Sequence, residues 1–158
     1  MIFSKGGASN GHEGLDLNEV ESILRGVFRE YGSGGLDFKY EYTDNRIDAS
    51  CQLSLKNCDD HILAFITFYT DGSGRVSFYF DKLAINERNL KLVNQFNDNC
   101  YYLKACIDDK GFLVISCPAE YVNSETVGKT VERSLNELLK DRTQKYLFPL
   151  TVLTEGDD

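Results

Sequence analysis

Histidine is scarce in this sequence, which has only His12 and His61 among its 158 residues. A histidine-based metal site or catalytic triad would need both of them to meet one of the cysteines. His12 lies in a segment rich in glycine, serine and asparagine, and His61 begins a predicted strand. We therefore predict no metal site and no catalytic triad built on these histidines.

The sequence also lacks paired cysteines and long apolar runs. Its five cysteines are odd in number and include no C-x-x-C pair, whereas disulfide frameworks and zinc sites use regularly spaced pairs. Reduced thiols and a cytoplasmic protein are the prediction. The N-terminus has no basic stretch before an apolar run, and no segment approaches the roughly 20 apolar residues of a membrane span. We expect no membrane association.

Positive charge is in deficit. The chain has 17 lysines and arginines against 25 aspartates and glutamates, a net charge of −8. A phosphate backbone would be repelled unless the basic residues clustered, and they do not cluster along the sequence. The composition therefore predicts no nucleic-acid partner, and it suits a protein that stays dispersed or receives a basic polypeptide.

Two short motifs resemble ligand-binding loops without completing them. Gly128-Lys129-Thr130 ends like a phosphate-binding loop, but Asn123 replaces the first glycine and the segment lies within a predicted helix. Asp71-Gly72-Ser73-Gly74 begins like a calcium loop, but Arg75 stands where an oxygen ligand belongs. A helix explains the first segment better than a phosphate-binding loop, and a hairpin turn explains the second better than a calcium loop.

Length and composition predict one domain. A chain of 158 residues with 42% hydrophobic content can bury a core without metals or disulfides. Residues 1–14 contain little to bury and predict a flexible N-terminal lead-in. Residues 15–158 then form a single α+β domain.

Periodicity predicts the elements of that domain. Apolar residues at helical spacing indicate helices over residues 16–32, over residues 86–99 and after Asn123 or Ser124. Alternating residues indicate four strands between the first two helices, and a hairpin over residues 101–117 turns at Asp108-Asp109-Lys110-Gly111. The order α-β4-α-β2-α favours a two-layer domain with helices on an antiparallel sheet.

One strand and one tail carry more specific expectations. The run from His61 to Thr70 is almost uninterrupted in apolar residues and threonine, which predicts a central strand covered on both faces, one of them at a subunit contact. The apolar tail from Tyr146 to Leu150 packs on its own subunit or docks on a partner. Self-packing is favoured, because exposed apolar surface is costly.

Aromatic residues exceed what one small core needs. Some of them are candidates for a groove or a dimer face, with packing in the core as the alternative role. The predicted protein-binding or dimer surface consists of Tyr40, Tyr42, Phe78, Phe80 and Tyr102.

The segments Leu92–Asn97 and Tyr102–Ile115 resemble the helix-plus-hairpin block of the YbjN family. That family is described as bacterial sensory transduction regulators and shares the fold of type III secretion chaperones. The family fold has three strands between the first two helices, where this sequence predicts four. Asn94 and Asn97, which lie within the first of these segments, are expected to cap the helix end or to brace the hairpin.

The resemblance implies a non-enzymatic, cofactor-free homodimer that is chaperone-like or regulatory. Its sheet and helices would present apolar grooves to an extended client polypeptide, through strand addition or groove binding. No catalytic residue is carried over.

Two other functions remain open. An assembly subunit of a phage or mobile element would form higher-order oligomers. A small enzyme would show a deep pocket that gathers polar groups from separate elements.

Overall fold

A computed structural model describes residues 15–31, 39–54 and 61–152. The predicted lead-in, residues 1–14, lies outside them. In chain order the elements are α1 (Leu17–Tyr31), β1 (Lys39–Tyr42), β2 (Arg46–Ser54), β3 (His61–Tyr69), β4 (Gly74–Lys82), α2 (Glu87–Asn99), β5 (Lys104–Ile107), β6 (Phe112–Ala119), α3 (Val127–Leu139) and α4 (Asp141–Thr151). The fold is α+β, and its order agrees with the predicted one up to α3 and then adds a fourth helix.

The six strands form one sheet in the order β1-β2-β3-β4-β6-β5, and every pair of neighbours is antiparallel. Each of β1, β3 and β5 pairs with the next strand in the chain, as does β2, whereas β4 pairs with β6. In the β5–β6 turn, the carboxylate of Asp108 accepts hydrogen bonds from the backbone N–H groups of Lys110 and Phe112. Gly111 follows with φ +92°, a conformation that suits glycine. The predicted acidic turn is therefore confirmed.

One face of the sheet packs against the helices. Pairing brings Ala64, Phe78 and Ile115 into one row on this face, and each is buried. The core also contains residues from all four helices, among them Val20, Val93, Val131, Leu147 and Leu150. This burial is the main favourable term for folding.

The run His61–Thr70 contains the predicted central strand, β3. On the helix-covered face Ile62, Ala64, Ile66 and Phe68 are fully buried, but Leu63 and Tyr69 on the other face keep 39% and 37% of their surface exposed. Strand side chains alternate between faces, and the described helices contribute to the core on one face only. The described residues therefore cover the helix side of this central strand, and a subunit contact on its other face stays a prediction.

The apolar tail from Tyr146 to Leu150 lies within α4. Leu147 and Leu150 are buried in the core, so self-packing is confirmed for them, while Phe148 points outward. The chain breaks the helix at Lys140, whose backbone is extended, and resumes it at Asp141. Pro149 lies inside α4, where its missing N–H and its ring disfavour helix. The break and the proline hide the helix from sequence patterning.

Candidate functional site on the uncovered sheet face

The second face of the sheet presents an apolar patch. Leu63 on β3 lies opposite Tyr79 on β4, and Tyr79 lies opposite Val114 on β6. The ring of Phe65 meets the ring of Tyr79 edge to face, with centroids 6.4 Å apart and an interplanar angle of 82°. We call Leu63, Phe65 and Tyr79 the open-face patch; Val114 lies beside them on the same face and is buried.

Small residues form the floor of this patch. Ser77 lies between Phe65 and Ser116 in the register, and both serines are buried. Arg75 extends over β6, where its Nη1 donates to Ser116 Oγ at 3.3 Å. The large side chains therefore stand above a shallow floor and can receive a complementary apolar group.

Charged groups of both signs flank the patch. Arg46 Nε lies 3.1 Å from the carboxylate of Asp48, and Thr67 Oγ1 donates to the same carboxylate at 2.7 Å. These groups lie on β2 and β3, beside Phe65 in the register. An apolar centre with a polar rim is the usual anatomy of a protein-binding surface.

The outer edge of β5 is closed by a side chain. Asn97 of α2 accepts a hydrogen bond from Ala105 N at 2.7 Å and donates its amide to Ala105 O at 3.0 Å. Alternate residues of an edge strand point both backbone groups away from the sheet, and the amide of Asn97 occupies the place of a further strand. The prediction that Asn97 braces the hairpin is therefore confirmed, whereas Asn94 is exposed.

The opposite edge strand, β1, has β2 as its one strand neighbour in the described ranges. Its side chains Tyr40 and Tyr42 point to the helix side, where Tyr42 Oη donates to the carboxylate of Glu21 at 2.6 Å. Arg25 Nε donates to the same carboxylate at 2.8 Å, and the Arg25 guanidinium lies 5.0 Å from the centre of the Tyr40 ring. Edge strand and α1 are thus tied by one carboxylate.

The contacts within this cluster shift the pKa values of both Glu21 and Tyr42. The hydrogen bond from Tyr42, followed by that from Arg25, lowers the pKa of Glu21 below its ordinary 4.5. Burial, followed by the bond to the carboxylate, raises the pKa of the Tyr42 phenol well above its ordinary range. Both shifts favour the observed pair, an ionised Glu21 and a protonated Tyr42.

The five residues predicted as a binding surface lie in separate places. Tyr40 and Tyr42 lie beside α1, and Tyr102 is half-buried against α3. Phe78 and Phe80 are 0% and 5% exposed, so the structure corrects their assignment: both are core residues. Their alternation with Tyr79 places them on the helix-covered face.

The five residues of the predicted surface do not include Leu63, Phe65 or Tyr79, although Tyr79 belongs to the surplus of aromatic residues and Leu63 and Phe65 belong to the run with a predicted subunit contact. A signal for the open face was present, because Arg75, Ser77 and Asp81 share the parity of Tyr79 along β4 and are polar. Polar residues at alternate positions mark the face that is not in the core.

Tyr102 borders a cavity of about 450 Å³ between the α2–β5 loop and the helices α3 and α4. The guanidinium carbon of Arg133 lies 4.4 Å from the centre of the Tyr102 ring. Burial is the main cause that raises the pKa of Tyr102. The cavity lies on the helix side of the sheet, because residues of α3 and α4 line it. Cys117 of β6 points to the same side, where it contacts Ser134 of α3 at 3.2 Å.

Other functional chemistry is limited in the part of the chain that the structure describes. Four free cysteines are described, of which Cys51, Cys100 and Cys117 are buried and Cys106 is exposed. Burial raises the pKa of the three buried thiols and so disfavours the reactive thiolate. Within residues 15–31, 39–54 and 61–152, no group of three His, Cys, Asp or Glu side chains could hold a metal ion. None of the described helices is long and apolar enough to cross a membrane.

Comparisons with known proteins found no matching family model, no matching curated protein and no matching solved structure. The open-face patch, the two sheet edges and the cavity beside Tyr102 are the features of the described residues that suggest a function.

Proposed function

We propose that this protein is a non-enzymatic protein-binding module, chaperone-like or regulatory, whose open-face patch receives an amphipathic segment of a client polypeptide. The observation that carries the proposal is the apolar surface left exposed on β3 and β4. Leu63 is 39% exposed at the centre of a six-stranded sheet, where a second layer normally packs.

The chemistry of the occupant follows from the patch and its surroundings. Leu63, Phe65 and Tyr79 offer apolar contacts, and burying them would release about 25 cal/mol per Å² of apolar surface. The chain has a net charge of −8, so basic residues that flank the apolar anchors of a client would speed its approach. The client segment is therefore expected to be apolar on one face and basic at its ends.

The arrangement of elements supports the same class of function. The alternation of helix, strands, helix, two strands and helix resembles that of the secretion chaperones, with four strands between the first two helices where that fold has three, and with α4 in addition. In this proposal the protein is a cytoplasmic homodimer that keeps an apolar client segment soluble. Strand addition at β1 is the second way in which it could hold the client, because the amide of Asn97 blocks β5.

The test is selection of peptides from a displayed library, followed by binding measurements on two variants. Leu63→Lys places a charge in the open-face patch. Ile85→Lys makes the same change at a residue that is 71% exposed before α2 and lies outside the patch. We expect amphipathic peptides to be selected, and Leu63→Lys to weaken them by about tenfold or more, with no effect of Ile85→Lys.

Circular dichroism and thermal melting must show that both variants fold. Failure to select any peptide, or equal binding by the two variants, would contradict the proposal. If Leu63→Lys instead dissociates a dimer and no peptide binds, the patch is occupied by a second copy of the chain, and the client function is wrong.

A further inference from the structure

The cavity beside Tyr102 carries an inference that is independent of the open-face patch. It holds about 450 Å³ and is lined by residues of the α2–β5 loop, α3 and α4. Three of these residues are basic, namely Arg133, Lys140 and Arg142, and one is acidic, Glu137. Tyr101 and Tyr102 supply aromatic surface.

The charges in this cavity do not balance. Lys140 Nζ is 2.8 Å from Glu137 Oε1, so these two charges compensate each other. Among the described residues, neither Arg133 nor Arg142 has a carboxylate within 4.0 Å. An excess of two positive charges therefore lies in one concave site of a chain whose net charge is −8, and the local potential attracts anions.

The guanidinium groups of Arg133 and Arg142 each contact the protein in a way that leaves N–H groups available as hydrogen-bond donors. Arg142 Nε donates to Asn99 O at 3.0 Å, which leaves the four N–H bonds of its terminal nitrogens. The guanidinium carbon of Arg133 lies 4.4 Å from the centre of the Tyr102 ring, and a cation–π contact of this kind leaves N–H bonds of the guanidinium available to a ligand. The protein thus presents two guanidinium edges that are already positioned for a ligand.

We propose that this cavity binds a small ligand through an oxyanion, a phosphate or a carboxylate, held by Arg133 and Arg142. Guanidinium forks match the oxygen geometry of both groups and form two parallel hydrogen bonds with either. Tyr101, which is 79% exposed at the cavity, offers its ring to the apolar part of the ligand.

The experiment is calorimetric titration of the full chain with inorganic phosphate, pyrophosphate and succinate at low ionic strength, where screening is weakest. Arg133→Gln and Arg142→Gln remove one guanidinium each. Arg29→Gln is the matched control, because Arg29 is an exposed arginine on α1 that does not line the cavity. We expect at least one probe to bind, each cavity variant to weaken it by about tenfold, and the control to bind as the wild type does.

The outcomes separate the two sources of the anion. Tight binding of phosphate or pyrophosphate alone identifies a phosphate ligand, and binding of succinate alone identifies a carboxylate. Absence of binding by all three probes, or equal weakening in Arg29→Gln, overturns the proposal. Because Arg142 also ties the loop to α4, Arg133→Gln decides the result if Arg142→Gln does not fold.

Discussion

At the scale of single residues, two polar side chains connect helices to the two edges of the sheet. Glu21 of α1 accepts a hydrogen bond from Tyr42 of β1, and Asn97 of α2 exchanges two hydrogen bonds with the backbone of Ala105 of β5. Edge strands are held by one neighbour strand only, so contacts of this kind decide whether they stay ordered. The identity of these partners was not readable from the sequence, because each pair joins distant or differently structured segments.

The Glu21–Tyr42 pair predicts a pH dependence of stability. The folded state lowers the pKa of Glu21 below 4.5, so its carboxylate stabilises the fold above that value, and this contribution is lost as the pH falls through the lowered folded pKa. Glu21→Gln should therefore lower the unfolding free energy at neutral pH. The difference from wild type should shrink as the pH falls below 4.5 and vanish below the lowered folded pKa, where the carboxyl is protonated in both states.

Urea unfolding at a series of pH values measures this effect. Glu19→Gln is the control, because Glu19 is an exposed residue of the same helix. A Glu21→Gln variant whose deficit is the same at acidic and neutral pH would exclude the proposed role of the carboxylate.

At the scale of elements, the two edge strands differ. The amide of Asn97 covers the outward backbone groups of β5, whereas β1 is left with β2 as its strand neighbour in the described residues. The sequence patterns located both strands, but the order of strands in the sheet, and therefore which strands are edges, depends on nonlocal pairing. Helix α4 shows the same limit, because its burial depends on contact with α2 and α3.

The closed edge predicts the effect of Asn97→Ala. The change leaves the N–H and C=O of Ala105 without partners at a site where Ala105 is buried, which should cost about 1 to 3 kcal/mol of unfolding free energy. It should also promote association through the exposed edge. Asn94→Ala on the exposed side of the same helix should do neither.

Urea denaturation and light scattering provide the two readouts. If the Asn97→Ala protein is as stable and as dispersed as Asn94→Ala, the hydrogen bonds to Ala105 do not protect the edge.

At the scale of the whole molecule, the helices occupy one side of the sheet and the proposed client the other. The open-face patch and the cavity beside Tyr102 therefore lie on different sides of the sheet, and their tests use different variants. Large apolar side chains also remain exposed on the helical side, among them Leu90, Leu139 and Phe148. We propose that the homodimer forms through apolar residues of this side and not through the patch.

We expect size exclusion with light scattering to show a dimer whose mass does not change with protein concentration. Leu63→Lys should leave this dimer intact, because the patch is assigned to the client. A monomer would contradict the homodimer. Larger closed assemblies would favour the alternative function as an assembly subunit.

The sequence by itself determined the strands, the first three helices and the division of each strand into two faces. Alternation set the parity that separates Phe78 from Tyr79, and helical spacing set α1, α2 and α3, because both periods follow from local backbone geometry. Only the tertiary structure decided which parity is covered, which strands are edges and that Arg133 meets Tyr102. Those outcomes depend on how segments far apart in the chain pack against one another. An apolar run such as β3 has the same sequence pattern whether a helix covers its second face or that face is left for a partner.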